Sequence, residues 1–431
     1  MNHTTFQLLK TKRFLPLFIT QFLGAMNDNL MKQALIVMIT FGLTSKVSHD
    51  PGILVTIAAG IFILPFFLFS ATAGQIADKF EKSKTIQLIK LAEIVIMIAA
   101  VIGFYYRNTY LLMTILFMMG CQSAFFGPLK YGILPNHLSK EELIAGNALI
   151  EGGTFLAILL GTIAGGLLIV TDQGLIIVSI LLLLIATVGW LSSHQIPRAE
   201  AADIKIKLNP NILKETVWIF SIAKKRPPVL ISILGISWFW AVGATFLTQF
   251  PNFTKSQIGG DATVVTLFMV TFSVGIAIGS GFCSKILKGS ISAKFVPVSA
   301  LGLAIFTFDL YFASKGLNPS NSNLIDAKEF IVDPYNWRIL LDLTGISIFG
   351  GLYTVPLYAI IQSYSEPKLR SRTIAANNII NALFIVVGAM IVAIFLAIGW
   401  SIPQIFLALA IATTIVAAMI VKLPQSQIND P

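Results

Sequence analysis

Residues 14–43 read FLPLFITQFLGAMNDNLMKQALIVMITFGL. As a helix rising 1.5 Å per residue, this run is long enough to cross a hydrocarbon core about 30 Å thick. Its middle nevertheless carries Asn27, Asp28, Asn29 and Lys32. An ionisable group inside a bilayer costs several kcal/mol unless it is paired or hydrated, so such groups mark a helix that faces protein or water rather than lipid. The rest of the chain fits that reading. Residues of the AVILMFWYC set make up 56% of the 431, and charged residues only 12%, about half the usual ~25%. With mean hydropathy +0.83, a soluble protein would lack the polar surface to cover such a core. Apolar runs of about 20 residues recur along the whole length, which predicts an all-α integral membrane protein.

Twelve spans are expected, near 14–43, 52–78, 85–106, 109–134, 143–170, 174–193, 228–250, 262–287, 292–313, 337–363, 371–399 and 401–422. The distribution of cations orients them. With the N-terminus in the cytoplasm, the inner segments hold 22 of the 30 Lys and Arg. The outer segments hold 6 (Lys46, Arg107, Lys255, Lys315, Lys328 and Arg338), while Lys32 and Lys90 lie within spans. The net charge of +10 is thus a topology signal, and no nucleic-acid partner is expected. Both termini are expected in the cytoplasm. The first apolar run is too long and too polar in its middle for a cleaved signal.

Other chemistries are excluded residue by residue. Cys121 and Cys283 both fall inside apolar runs, which argues against a disulfide scaffold or a thiolate metal site. No Gly-x4-Gly-Lys-Ser/Thr loop is present, so ATP is not a direct driver. His3, His49, His137 and His194 all fall in loops or tails, so a histidine proton relay is not expected. No catalytic residue, metal or cofactor is expected, and the chain does not read as an enzyme.

The longest inner connection, 194–227, divides the chain into six spans (1–193) and six (228–431). It contains 211–226, either an amphipathic helix on the membrane surface or part of a solvated linker. The halves repeat weakly. Pro128-Leu129 matches Pro356-Leu357 at an offset of 228, and Asn147 and Glu151 match Asn377 and Asn381 at an offset of 230. Two parallel six-span halves resemble the major facilitator superfamily. The fold expected is therefore twelve transmembrane helices in two pseudo-symmetric six-helix bundles. After span 2, Gly74-Gln-Ile-Ala-Asp78-Lys79-Phe-Glu-Lys-Ser-Lys84 resembles that superfamily's loop signature. Asp78 is expected either to pair with Arg370 or Arg372 and the positive N-terminus of span 11, latching the cytoplasmic side, or merely to cap a helix end. Gly153, Ala157, Gly161 and Gly165 in span 5, and Gly275, Gly279 and Cys283 in span 8, recur every four residues. Such stripes let backbones approach closely. In this superfamily spans 5 and 8 meet across the halves, so the stripes are expected either to slide on each other or to pack statically.

The candidate site is the set of polar groups inside the membrane. Asp28 and Lys32, one helical turn apart, either pair on their own helix or line a central cavity. Glu151 lies about 12 Å into span 5, and Asn147 lies on the same face. Lys130 either snorkels to the interface or meets Glu151. Asn377 and Asn381 sit at matching depths in span 11. Lys90 and Glu93 read as a structural pair in span 3. Asp309 and Asp342 look isolated, and most of the 32 Phe are expected to face the bilayer.

Three stretches then narrow the family: Asn27-Asp-Asn-Leu-Met-Lys32-Gln-Ala34, Gly127-Pro-Leu-Lys130-Tyr-Gly-Ile-Leu-Pro135, and Gly146-Asn-Ala-Leu-Ile-Glu151-Gly-Gly-Thr-Phe-Leu-Ala-Ile-Leu-Leu-Gly161, which continues to Gly166. Together they resemble the bacterial lysophospholipid transporters, closely in the first half and loosely in the second. The resemblance implies transfer of lysophospholipids, chiefly lysophosphatidylethanolamine, from the outer to the inner leaflet of the inner membrane. There an acyltransferase/acyl-acyl-carrier-protein synthetase re-acylates them, and that partner would be a separate chain here. It also implies that Asp28, Lys130 and Glu151 are the family's charged positions. One departure is visible. Stand-alone members have an Arg in span 7, whereas here the stretch reads Gly243-Ala-Thr-Phe-Leu247-Thr-Gln249-Phe, resembling the enzyme-fused subfamily instead. The head group would then be met by Asn27, Asp28, Asn29, Lys32, Lys130, Asn147, Glu151, Gln249, Asn377 and Asn381, with Gly74, Asp78, Lys79, Arg370 and Arg372 as the gate and a monomer as the working unit. The rivals are a proton-coupled carrier of a small amphipathic drug or metabolite and a non-transporting scaffold that recruits the acyltransferase.

Overall fold

The computed structural model describes residues 5–43, 51–317 and 324–423. Lys46, His3 and His49 lie outside them. In a bilayer the backbone must satisfy its own N–H and C=O groups, so apolar runs become helices. Among the described residues twelve long helices result, with a thirteenth between the halves. They are α1 Leu15–Thr40, α2 Pro51–Lys79, α3 Lys82–Tyr105, α4 Thr109–Gly132, α5 Leu143–Leu168, α6 Gly174–Ser193, the linker helix α7 Ile212–Lys224, α8 Pro227–Phe253, α9 Ala262–Leu287, α10 Val296–Ser314, α11 Trp337–Tyr364, α12 Arg370–Ala397 and α13 Ile402–Ile420. They form two six-helix bundles, as expected. Eleven are long and apolar enough to cross a membrane. The exception is α1, whose 26 residues suffice in length but whose hydropathy is lowered by Asn27 to Lys32.

Starts are set by side chains that accept orphan backbone N–H groups. Asn108 takes Leu111 N–H at 3.0 Å, Asn211 takes Lys214 N–H at 2.9 Å, and Asp261 takes Thr263 N–H at 2.8 Å. Pro128 and Pro356 occupy the interiors of α4 and α11, the corresponding helices of the two bundles.

The small-residue stripes correct one expectation. They do not face each other. A Cβ on Gly161 would stand 2.3 Å from the Met26 carbonyl of α1, and one on Gly165 2.3 Å from that of Leu30. On α9, a Cβ on Gly279 would stand 2.0 Å from the Ile348 carbonyl of α11. Each stripe thus brings two backbones together within its own bundle. The crossing between bundles is made by a different face, with Gly152 of α5 against Ala277 of α9 at 3.2 Å.

A subset of the phenylalanines packs inside, and one pairing expectation is corrected. Phe246, Phe250, Phe253, Phe268, Phe272 and Phe406 are at most 2% exposed and pack ring against ring, mostly tilted or edge to face, inside the second bundle. Burying aromatic area there supplies packing that lipid contact would not. Asp309 is not isolated, since Arg338 grips it with two bonds of 2.9 and 2.5 Å.

The linker wraps the turn between α2 and α3. Lys82 N–H donates to Ala199 O (3.0 Å) and Asp203 N–H to Asp78 O (2.9 Å), while Glu81 accepts from Ala199 N–H at 2.8 Å. Helix α7 turns Glu215, Ile219 and Ala223 inward, four residues apart, and leaves Leu213 and Val217 exposed.

The two bundles are joined at the face that carries this linker. A Cβ on Gly74 of α2 would touch Ala375 and Arg372 of α12 at 2.7 and 2.8 Å. Near the other end of α2, Gly60 has nothing within 4 Å. On α12, residues 371–377 are buried, while Val386, Met390 and Ile394 are exposed. Thr5 reaches Ser284 of α9 at 2.8 Å, adding a second tie across the linker face.

Candidate functional site

The polar residues of α1 divide by direction. Asn27, fully buried, donates to Glu93 of α3 at 3.1 Å. Gln122 of α4 donates to the same carboxylate at 2.9 Å, and Lys90 completes a buried pair with it. This is a closed network, so Asn27 belongs to the inside of the bundle. Asp28 points elsewhere and accepts from the Ser123 hydroxyl of α4. Lys32 donates to Asn29 at 2.9 Å and stands over the Phe62 ring.

The second set lies where the bundles meet. Glu151 of α5 has no exposed surface and accepts from the Tyr131 hydroxyl at the end of α4. Lys130, half-buried, is within electrostatic reach of Glu151 and Asp28. Tyr131 stacks on Tyr358 of α11, ring centres 4.2 Å apart and 8° from parallel, and Tyr358 accepts from Trp240 of α8 at 3.1 Å. One turn below, Asn147 and Gln362 of α11 exchange amide hydrogen bonds of 2.7 and 3.0 Å. Gln362 also donates to the Tyr131 carbonyl at 3.2 Å. Buried amides that satisfy each other in this way fix a register. Asn377 is buried beside the Tyr358 hydroxyl. Asn381 accepts from Ser237 of its own bundle at 2.7 Å. Gln249 is buried in α8, and its side-chain oxygen has no partner among the described residues.

Nearest the linker face lies the third set. Asp78 accepts from the N–H groups of Ser371 and Arg372 at 3.0 and 3.1 Å and from the Arg372 guanidinium at 3.4 Å. A carboxylate at the unsatisfied N–H groups of a helix start is electrostatically well placed. Arg372 is also held by Glu215 of α7 at 3.7 Å and lies over the Trp218 ring at 4.8 Å. Burial pushes the Glu215 carboxyl above its usual range, with Arg372 opposing. Arg370 donates to the Gln362 carbonyl at 2.8 Å. Lys79 lies over Phe80.

Sequence reasoning missed Tyr131, Tyr358, Trp240, Gln362 and the linker pair Glu215 and Trp218. A signal existed for the two tyrosines. The repeated Pro-Leu pair is followed by a Tyr within two residues in both halves, Tyr131 and Tyr358. Nothing in the sequence singled out Gln362.

A bundle pair with buried charge along its seam, closed at one face, defines a membrane carrier. Over residues 17–324 the sequence matches the Major Facilitator Superfamily, and the chain belongs to it. Relatives named Lysophospholipid transporter LplT include that of Serratia proteamaculans (strain 568), 25% identical over 375 residues, 86% of this chain and 85% of the relative. That of Yersinia pestis (strain Pestoides F) is 26% identical over 380 residues, covering 86% and 84%. Among solved structures, the major facilitator transporter FucP in the outward conformation superposes with TM-score 0.71 at 12% identity, covering 96% of this chain and 99% of that one. A bacterial homologue of the iron transporter ferroportin in an outward-facing state gives 0.68 at 13%, covering 94% and 98%.

Proposed function

We propose that this carrier moves lysophospholipid, such as lysophosphatidylethanolamine, from the outer to the inner leaflet of the bacterial inner membrane by alternating access. The observation that carries the reading is Glu151, a fully buried carboxylate whose hydrogen-bond partner Tyr131 stacks across the bundle junction on Tyr358. Asp28, with Lys130 in reach of both acids, gives complementary charge for a zwitterionic head. Its ammonium would pair with Asp28 or Glu151 and its phosphate with Lys130, while the acyl chain stays in apolar surroundings. Asn29, Lys32, Asn147, Gln249, Asn377 and Asn381 would form the hydrated track, and Asn27 would act indirectly, by holding Glu93. An ammonium that takes Glu151 competes with the Tyr131 hydroxyl and so loosens the Tyr131–Tyr358 and Asn147–Gln362 contacts beneath. Gly74, Asp78, Lys79, Arg370 and Arg372 would be the gate that then parts. The names borne by the relatives support the substrate over a small drug or metabolite.

On this reading the linker face and both termini are cytoplasmic, as the 22-to-6 cation bias supports, and the described state faces outward. The units that rock are 1–193 and 228–431, with α7 lying at the membrane interface through Leu213 and Val217. The chain works as a monomer, hands its product to an acyltransferase/acyl-acyl-carrier-protein synthetase, and stands nearest the enzyme-fused subfamily by its Arg-free stretch Gly243 to Phe250. The test is uptake of labelled lysophosphatidylethanolamine by spheroplasts of a transporter-null strain. Wild type should exceed empty vector, and Asp28→Ala and Glu151→Ala should each lose about tenfold or more, the scale of a buried charged hydrogen bond. Full uptake by both variants would refute the site, and wild type equal to vector would refute the substrate.

A further inference from the structure

Beside the Asp78 contact lies a cleft of about 240 Å³ lined by Lys82, Asn136, Glu200, Arg370 and Ser371. At ~30 Å³ per water this is room for roughly eight waters, or for a phosphate group with part of its ester. Two of its walls are cationic. Lys82 is only 3% exposed, and its ammonium donates to the Glu200 carbonyl at a long 3.4 Å. Arg370 donates through Nε to the Gln362 carbonyl at 2.8 Å, which leaves the two terminal nitrogens of its fork for another acceptor.

The two carboxylates that act on Lys82 are committed elsewhere, and Glu200, at the exposed rim, meets Lys82 through its backbone carbonyl. Asp78 is held by two N–H groups and Arg372, and Glu81 by the N–H groups of Ala199, Ser83 and Lys84. Both acids act on Lys82 only at a distance, while Arg370 acts on it as a like charge. Among the described residues neither cation has a carboxylate within ion-pairing distance. Two cations facing one recess, each ending on a neutral carbonyl, repel each other, and the acids that act on them do so from beyond ion-pairing distance. A multidentate oxyanion that meets the Arg fork and the Lys point charge together supplies a counter-charge.

We infer that this cleft is a binding site for a phosphate-bearing anion, formed jointly by the first bundle (Lys82, Asn136), the linker (Glu200) and the second bundle (Arg370, Ser371). Because its walls come from both bundles, the site is whole only while the linker face is shut. Whatever binds there therefore favours the shut state by mass action. The chemistry is that of a phosphate mono- or diester, from either a soluble ester or an anionic headgroup of the adjoining leaflet.

The experiment follows thermal unfolding of the purified full chain with three probes: inorganic phosphate, glycerol 3-phosphate, and nanodiscs of phosphatidylglycerol against phosphatidylcholine. A saturable rise in the unfolding midpoint is expected with at least one. Lys82→Gln and Arg370→Gln should each weaken it about tenfold or more. Lys82→Arg, which keeps the charge, should retain it, as should Lys84→Gln at an exposed lysine outside the cleft. A rise confined to the nanodisc arm makes the ligand a headgroup, and one confined to the soluble arms makes it a free ester. No saturable rise with any probe, or an equal rise in both Gln variants, overturns the inference. The readout needs no transport, so this result stands or falls apart from the uptake experiment.

Discussion

Glu93 receives Lys90, Asn27 and Gln122 at once, and that concentration makes the group vulnerable. Lys90→Met leaves a buried carboxylate without its counter-charge and is expected to cost about 3 kcal/mol or more, whereas joint replacement of Lys90 and Glu93 by apolar residues should recover much of the loss. Unfolding midpoints of the single and double variants check this, and a single variant as stable as the double would contradict it. Outside the membrane, Glu81 offers a pH handle. Burial raises its carboxyl pKa, but the N–H groups of Ala199, Lys84 and Ser83 outweigh that and hold it below its ordinary 4.5. A depressed carboxyl contributes stability in full above that ordinary value and loses it as pH falls through the depressed one. The midpoint gap between wild type and Glu81→Gln should therefore be largest near neutrality and close as pH drops below about 4.5. A gap constant down to about pH 3 would count against it. At this scale the sequence was informative where charge is rare. Asp28, Lys130 and Glu151 stood out because acids and bases are costly in a span. Tyr131, Tyr358 and Gln362 did not, because aromatics and single amides are ordinary in spans and only the partner across the junction gives them meaning.

Among the helices, the four-residue stripes were legible as close-approach faces, but their partners were not. A stripe of small residues says that a backbone comes near, without saying whose. The structure assigns both stripes to contacts within a bundle, and this separates two kinds of substitution. Gly279→Ala places a methyl 2.0 Å from the Ile348 carbonyl and should cost about 1–3 kcal/mol, seen as a lower unfolding midpoint. Gly152→Ala meets Ala277 at 3.2 Å on the crossing between bundles, so its main effect should be slower uptake with little change in midpoint. The reverse pattern would mean that the crossing is static and the stripes move. Helix α7 was legible as a helix from its composition, but its grip on Arg372 through Glu215 and Trp218 was not, since it depends on how the linker is threaded.

For the whole molecule, twelve spans and two bundles followed from hydropathy and a weak repeat, because the bilayer leaves helices few alternatives. Which face is shut could not follow, since that depends on small differences between two packings of the same helices. The shut face can be tested by covalent capture. A Cβ on Gly132 would stand 3.6 Å from that of Ser371, within the usual disulfide range of about 3.5–4.5 Å. In a background lacking Cys121 and Cys283, cysteines at 132 and 371 should cross-link on oxidation and stop uptake, with recovery on reduction. Undiminished uptake by the cross-linked protein would show that these ends need not part. The polar middle of α1 has a consequence of another kind, for the order of synthesis. The ribosome delivers α1 first, yet the groups that satisfy it come later. Glu93 follows Asn27 by 66 residues, and Ser123 follows Asp28 by 95. Until then the bilayer holds this segment poorly, so nascent chains stalled before α4 should release it to alkaline extraction, whereas chains extended past α5 should keep it.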